Sequence, residues 1–323
     1  MKLRDTPLLQ SDPNSRGRAR RARPFFDASS PRRESKVIAP IPVLLVVSLI
    51  PFSLIVGSAA QPVRMAAVEP YLALARAWGE AAGIEIQVQS YPPNECIRRT
   101  GRGEFELAIL PETLTEGQRQ SLGARPGRVP QSYAVGWEAA TLIVHPDNPL
   151  PFIEEPQVRG LFAPEDCKGA FPLIRSWNEI LGLEAASSNR IGRIVPRLQT
   201  PEGEQVQKLL LGDCAMDEEA YQVSGDAMRE RIVAASPEAV GVVYRLRYTG
   251  KARPLPVLAD EETSAATPET ATLNSGAYPF GRRIWLATPR LYYNPEPAAK
   301  LIAFALSPEG QFEVARMGFF PVR

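Results

Sequence analysis

The stretch that most constrains this chain is Ala134 to Ala163, AVGWEAATLIVHPDNPLPFIEEPQVRGLFA. Its apolar run, Ala139 to Val144, is rich in β-branched residues and short enough to be a strand buried on both faces. His145-Pro146-Asp147-Asn148-Pro149 follows, where two prolines fix φ and Asx side chains favour a tight bend. Glu154 to Phe162 then places Val158, Leu161 and Phe162 at helical spacing, with acidic residues in the first turn to suit the helix dipole. A buried strand, a rigid corner and a short helix suit a chain that leaves one lobe and starts another.

At 323 residues the chain can bury a large core, and usual domain sizes favour two lobes. The net charge of +1 hides an asymmetry. Residues 1–36 hold 10 Lys/Arg against 4 Asp/Glu, a net of +6, and the other 287 residues hold 27 against 32, a net of −5. A mildly acidic body argues against nucleic acid as a partner. Basic charge at one terminus, next to an apolar run, points to membrane targeting.

That run is Val37 to Val56, preceded by RGRARRARP and PRRESK and followed by Gly57-Ser58-Ala59-Ala60. The expected organisation is a disordered basic segment, 1–36, and a signal-peptide core or membrane anchor, 37–60. Export with cleavage after Ala60 is the first reading. A retained anchor is the alternative, since about 20 residues also match a span. Arg32-Arg33 is followed by Glu34-Ser35 where a twin-arginine signal wants an apolar pair. No cysteine stands near the cleavage point, which argues against a lipoprotein. Either way the positive-inside rule puts the body outside the cytoplasm, and the membrane is met only through the uncleaved segment.

Along the body, Glu69 to Ala82 predicts an amphipathic helix stopped by Gly83, Ile84 to Val88 a strand, Pro93 to Gly101 a helix and Phe105 to Leu110 a strand. That alternation starts an α/β lobe. Further on, Trp177–Leu181 reads as a helix, Ile191–Pro196 as a strand, and Glu202–Leu211 and Ala227–Ala235 as helices. Val240–Tyr244 and Ile284–Ala287 read as strands, and Pro295–Leu306 and Glu309–Met317 as closing helices. Ala259 to Ala277, dominated by Thr, Ser, Ala and Glu, reads as a polar surface loop. Cys167 and Cys214 sit in polar, loop-like contexts, so an oxidising compartment can join them. Cys96 reads as a small buried residue on a helix.

No catalytic constellation emerges, and the expectation is a non-enzyme without a cofactor or metal. The only histidine, His145, lies in a proline-flanked turn, and no G-x-S-x-G, P-loop or dinucleotide pattern is present. Adjacent carboxylates such as Glu154-Glu155 and Glu261-Glu262 read as solvated. For a binding protein, the candidate ligand loops are Ser90 to Glu95, Leu110 to Thr115, Gly136 to Glu138 and Arg197 to Glu202. Helix N-termini in such positions offer free N–H groups to anions.

The central stretch also carries a resemblance. VGWEAATLIVHPDNPL followed by PQVRGLFA is similar to the crossover of the phosphate-type solute-binding proteins of ABC transporters. Trp177-Asn178-Glu179-Ile180, Ala239 to Tyr244, Tyr278-Pro279-Phe280, Leu306 to Gln311 and Gly318 to Val322 agree with that family in order. The resemblance covers roughly Val68 to Arg323. It implies an α/β fold of two lobes, each a mostly parallel sheet flanked by helices, joined by crossing strands. Lobe 1 is expected at 61–137 and 279–323, lobe 2 at 138–278, with a ligand cleft between them.

The resemblance also implies where a ligand would touch. In the first loop the family's Ser and Gly donors are replaced by Ser90-Tyr91-Pro92-Pro93-Asn94-Glu95, in which prolines remove N–H groups and Glu95 adds repulsion. The family's acceptor aspartate falls at Pro111 or Glu112, beside Thr113. Its Arg and the Ser-Gly-Thr after it match Arg197, then Thr200-Pro201-Glu202, which keeps an anion-pairing guanidinium. Tyr91, Trp137 and Tyr278 are candidate stacking groups. The expected ligand set is therefore Tyr91, Asn94, Glu112, Thr113, Trp137, Arg197, Thr200 and Glu202. The ligand is a small molecule, an oxyanion among the candidates, and an ABC permease is the partner implied. The alternative is a sensor or interaction protein on the same scaffold with phosphate binding lost.

Overall fold

Two five-stranded sheets organise the structure, a computed structural model that describes residues 61–123, 130–167, 171–182, 190–244, 250–260, 264–289 and 295–323. The expected basic segment, apolar leader and cleavage point at Ala60 lie outside the described residues. No helix among the described residues is long and apolar enough to cross a membrane.

Lobe 1 begins with β1 (Val63–Ala67), α1 (Leu72–Ala82), β2 (Ile86–Ser90), α2 (Pro93–Gly101), β3 (Leu107–Leu110), α3 (Glu116–Ser121) and β4 (Ser132–Ala139). The chain then crosses into β5 (Thr141–Val144), β6 (Ile153–Glu154), α4 (Glu155–Phe162), α5 (Trp177–Leu181), β7 (Gly192–Val195) and α6 (Pro201–Leu211). Lobe 2 continues through β8 (Tyr221–Gln222), α7 (Asp226–Ala234), β9 (Ala239–Val243), β10 (Arg253–Pro254) and β11 (Val257–Leu258). After α8 (Thr270–Ser275) the chain returns to lobe 1 as β12 (Gly281–Ala287), α9 (Pro295–Leu306) and α10 (Pro308–Arg316).

The lobe 1 sheet runs β2-β1-β3-β12-β4 and the lobe 2 sheet β8-β7-β9-β5-β10. In both, four strands run one way, and a single strand, β12 or β5, runs against its two neighbours. Each sheet is therefore mixed. β9, AVGVV, is buried along its whole length between β5 and β7, as an apolar run without alternation requires.

Helix starts and stops follow local chemistry. Gly83 at φ 65° ends α1 in the left-handed region that favours glycine. Thr200 caps α6 by accepting from the Gly203 amide at 3.2 Å. Gly203 is obligatory there, because a Cβ would stand 2.1 Å from the Arg197 carbonyl oxygen. Lobe 1 is closed by its C-terminal segment: the Trp78 indole donates to the Gly310 carbonyl at 3.0 Å. Buried Gln311 donates to the Val135 and Ala305 carbonyls at 2.9 and 2.7 Å and accepts from the Val322 amide at 2.8 Å.

Several local expectations differ from the structure, and those at the crossing, in the segment before β12 and at β1 bear on the sheets. The run Ala139–Val144 is divided between two strands in different sheets, with Ala140 between them. The Ala140 amide donates to the Phe280 carbonyl at 2.9 Å, and its own carbonyl accepts from the Tyr278 hydroxyl at 2.6 Å. The outgoing and returning chains are thus bonded to one another where they cross. The segment Ala259–Ala277 contains α8, capped by Glu269 and Thr272, and a bridge from Ala266 to Val257. Its weak apolar periodicity hides both. β1, with Arg64 and Met65 inside it, is a central strand that the sequence reading passes over.

The sulfurs of Cys167 and Cys214 are joined, with their Cα atoms 6.1 Å apart, while Cys96 is free and buried.

Candidate functional site

A charged residue in the buried half of a strand must find partners or leave the core. Glu138 of β4 is such a residue and is fully buried. The Tyr71 hydroxyl, at the start of α1, donates to its Oε2 at 2.7 Å. The Tyr244 hydroxyl, just past the end of β9, donates to the same oxygen. Arg282 of β12 donates through Nε to Oε1 and through Nη2 to Gln205 of α6. Tyr71, Glu138 and Arg282 belong to lobe 1, whereas Tyr244 and Gln205 belong to lobe 2. The point is therefore a seam between lobes, and the ring of Phe319 roofs it 5.8 Å from Tyr71 and 6.3 Å from Tyr244.

Electrostatics at the seam follow from burial and from one acid. Desolvation first, and then the Glu138 charge, push both tyrosine hydroxyls well above the ordinary phenol range, so they stay protonated donors. Burial works against the Arg282 charge, but the Glu138 carboxylate outweighs it and holds the guanidinium above its ordinary value. Glu138 thus accepts from three donors, two hydroxyls and one guanidinium N–H.

A second polar chain continues into lobe 2. The Tyr244 amide donates to Asp226 Oδ1 at 2.8 Å. Arg229, fully buried, donates to Asp226 and to Glu202 of α6, and to the Val223 carbonyl at 2.7 Å. Its Nε has no partner among the described residues. Arg282, Gln205, α6, Glu202, Arg229, Asp226, Tyr244 and Glu138 thus form a closed circuit across the seam.

The residues expected from sequence take separate places. Tyr91 donates to Gln89 at 2.7 Å, lies edge-on to Phe105 and carries Arg99 over its ring at 4.4 Å, all within lobe 1. Asn94 is exposed and accepts from Gln118 at 3.3 Å. Glu95 is taken by Arg98 and Arg99, whose hydrogen bonds hold its carboxyl down at about 2. Thr113 is exposed, and exposed Glu112 reaches Arg282 at 3.8 Å. The Trp137 indole donates to Asn274 at 3.1 Å under Arg283, on the strand face opposite Glu138. Tyr278 is spent on the crossing at Ala140.

Arg197 is exposed, and its side chain makes no hydrogen bond or ion pair among the described residues. Thr200 serves as the α6 cap, donating to the Arg197 carbonyl at 2.6 Å, and Glu202 pairs with Arg229. The structure therefore brings Glu112 and Glu202 to the arginines of the seam, leaves Tyr91 and Asn94 in contacts of their own lobe, and pairs Trp137 with Asn274 of α8. Tyr71, Glu138, Tyr244 and Arg282 are the residues that the sequence-based ligand set lacks. One signal was available: Glu138 is the sole charge between Ala134 and Val144. No cluster of three or more metal-ligating side chains occurs among the described residues.

Comparison with solved structures decides the fold. A possible phosphate binding protein from Planctomyces limnophilus superposes with a TM-score of 0.66 at 16% identity, over 82% of this chain and 94% of that one. The chain has the fold of the phosphate-type periplasmic solute-binding proteins. PstS from Borrelia burgdorferi shares this solute-binding-protein fold at a TM-score of 0.62 and 16% identity, over 81% of this chain and 99% of its own. An ABC-type phosphate transport receptor from Vibrio cholerae gives 0.58 and 15%, over 81% and 100%. No family model and no curated protein matches the sequence.

Proposed function

We propose that this protein is an extracytoplasmic solute-binding protein whose lobes close on a small polar ligand at the seam around Glu138, and that phosphate is not that ligand. The observation that carries the reading is the meeting of buried polar side chains from both lobes at one point between two crossing strands. Such a point changes when the lobes move, as a hinge-closing receptor requires. Arg197, Thr200 and Glu112 would contact ligand from the rim, with Arg197 supplying an unpaired positive charge. The basic, apolar N-terminal segment supports export, and an ABC permease is the partner that fits a transported ligand.

Glu138 and Glu202 argue against phosphate. A phosphate brought beside them would find the nearby guanidiniums of Arg282 and Arg229 already engaged by these carboxylates, and would have to displace them or stay unpaired. A second reading draws on the same carboxylate: its donors are already satisfied, so the lobes hold together unaided and the scaffold serves as a sensor or interaction module. Calorimetric titration of the mature body with phosphate, sulfate, amino acids and small cations tests both. Micromolar phosphate binding would sink the exclusion of phosphate. Saturable binding of another small solute, lost in Arg197→Ala, supports a receptor, and silence across the panel favours the module.

A further inference from the structure

We propose that Tyr71, Tyr244 and Arg282 form a carboxylate-binding site that the protein fills with its own Glu138, a tethered guest that shuts the seam to free anions. The proposal stands on the seam's geometry and holds whether or not any solute is transported. Two features distinguish the arrangement from an ordinary buried ion pair. Its donors come from both lobes and three separate segments, so the carboxylate joins parts of the chain far apart in sequence. Both oxygens are used, Oε2 by two hydroxyls and Oε1 by a guanidinium, as a free carboxylate would be held in a dedicated site.

Removal of the guest shows what the site is built for. In Glu138→Ala, two buried hydroxyls lose their acceptor and the Arg282 guanidinium loses its buried counter-charge. The space vacated is that of an acetate: one carboxylate and its methylene. Burial keeps both tyrosines protonated, so the donors persist when the side chain is gone. A small monocarboxylate from solution then satisfies all three groups and restores the bridge between lobes. In the native protein the tethered side chain is always at hand, so free anions compete poorly. Glu138 is thereby the specificity-determining residue of the seam.

Chemical rescue tests this on the full-length chain. Thermal unfolding of Glu138→Ala is followed as acetate, formate or phosphate is added at constant ionic strength with chloride as the balance. The expected result is a saturable rise of about 5 °C with acetate or formate, no comparable rise in the wild type, and a weaker response to the bulkier phosphate. Adding Tyr244→Phe to Glu138→Ala should weaken the acetate response by about tenfold or more. Should Glu138→Ala not fold alone, refolding yield becomes the readout: recovery in acetate but not in chloride supports the proposal, and failure in both overturns it. A folded Glu138→Ala that ignores every anion overturns it too, as does a wild type that responds as strongly as the variant.

Discussion

The two lobes share one strand plan and are held together differently. Each sheet runs four strands in one direction and one against them, the reversed strand (β12 or β5) standing fourth in order. Lobe 1 is closed by large packed side chains and hydrogen bonds from its C-terminal segment, with Trp78, Tyr71 and Met65 all fully buried. Lobe 1 buries the carboxylates Glu106 and Glu138, whereas lobe 2 also buries guanidiniums, those of Arg193 and Arg229. Arg229 sits between Glu202 and Asp226, Arg193 and Arg175 converge on Asp217, and a disulfide ties the loop after α4 to the loop after α6. The same topology therefore does not prescribe the same interior. What it prescribes is the position of the seam, where Tyr71 from one kind of lobe and Tyr244 from the other reach one carboxylate.

The contrast can be broken most directly at Arg229. Arg229→Ala leaves Glu202 and Asp226 without their buried cation and should cost about 4 kcal/mol in denaturant unfolding, whereas Arg229→Met should cost less because it keeps the packing. Equal losses would mean that volume, not charge, holds lobe 2. Next in size is the disulfide, whose half-cystines are 47 residues apart. Cys167→Ser with Cys214→Ser should cost about 3 kcal/mol, with hydrogen exchange rising in lobe 2 and unchanged in α1 and α10.

Lobe 1 answers to packing. Trp78→Phe removes the donor to Gly310 and part of a fully buried ring, and should cost about 2 kcal/mol by the same unfolding measurement. Smallest is an effect of pH. Burial pushes the Cys96 thiol up to about 12 from an ordinary value of 9.0. Its folded pKa is raised, so its contribution is complete below pH 9.0 and is lost as pH rises toward about 12. Cys96 in the native protein should accordingly resist iodoacetamide at pH 9, since the thiolate is the reacting form. Rapid alkylation with the fold intact would contradict the sealed lobe 1 interior.

The elements most legible in the sequence were those whose pattern is local. β9 and β5 announce themselves as apolar runs, α10 by Ser307-Pro308 at its start, and α2 by Pro93. β1 escaped because Arg64 interrupts it, and that arginine is answered by Glu106, 42 residues later, at 2.6 Å. α3 escaped although Thr115 and Gln118 form a capping box, since the helix buries no side chain and leaves no apolar stripe. The seam was the hardest part to read. Its four central residues are separated by 67, 106 and 38 positions in order along the chain (Tyr71 to Glu138, Glu138 to Tyr244, Tyr244 to Arg282). No short motif spans such gaps, and only the lone acid in an apolar strand gave a local hint. Arg197, by contrast, was singled out through resemblance, and the structure places it exposed in the turn before α6, with no side-chain partner among the described residues.

The place of β12 between β3 and β4 also sets a timetable. A nascent polypeptide stopped after Leu258 already holds the five strands of the second sheet, while the first still has a gap between β3 and β4. The half that begins the body is consequently the last to be finished, and must wait for residues made more than 140 positions after β4 ends. Between those moments β3 and β4 expose unpaired edges, so the interval before release is when this protein most needs shelter from its own copies.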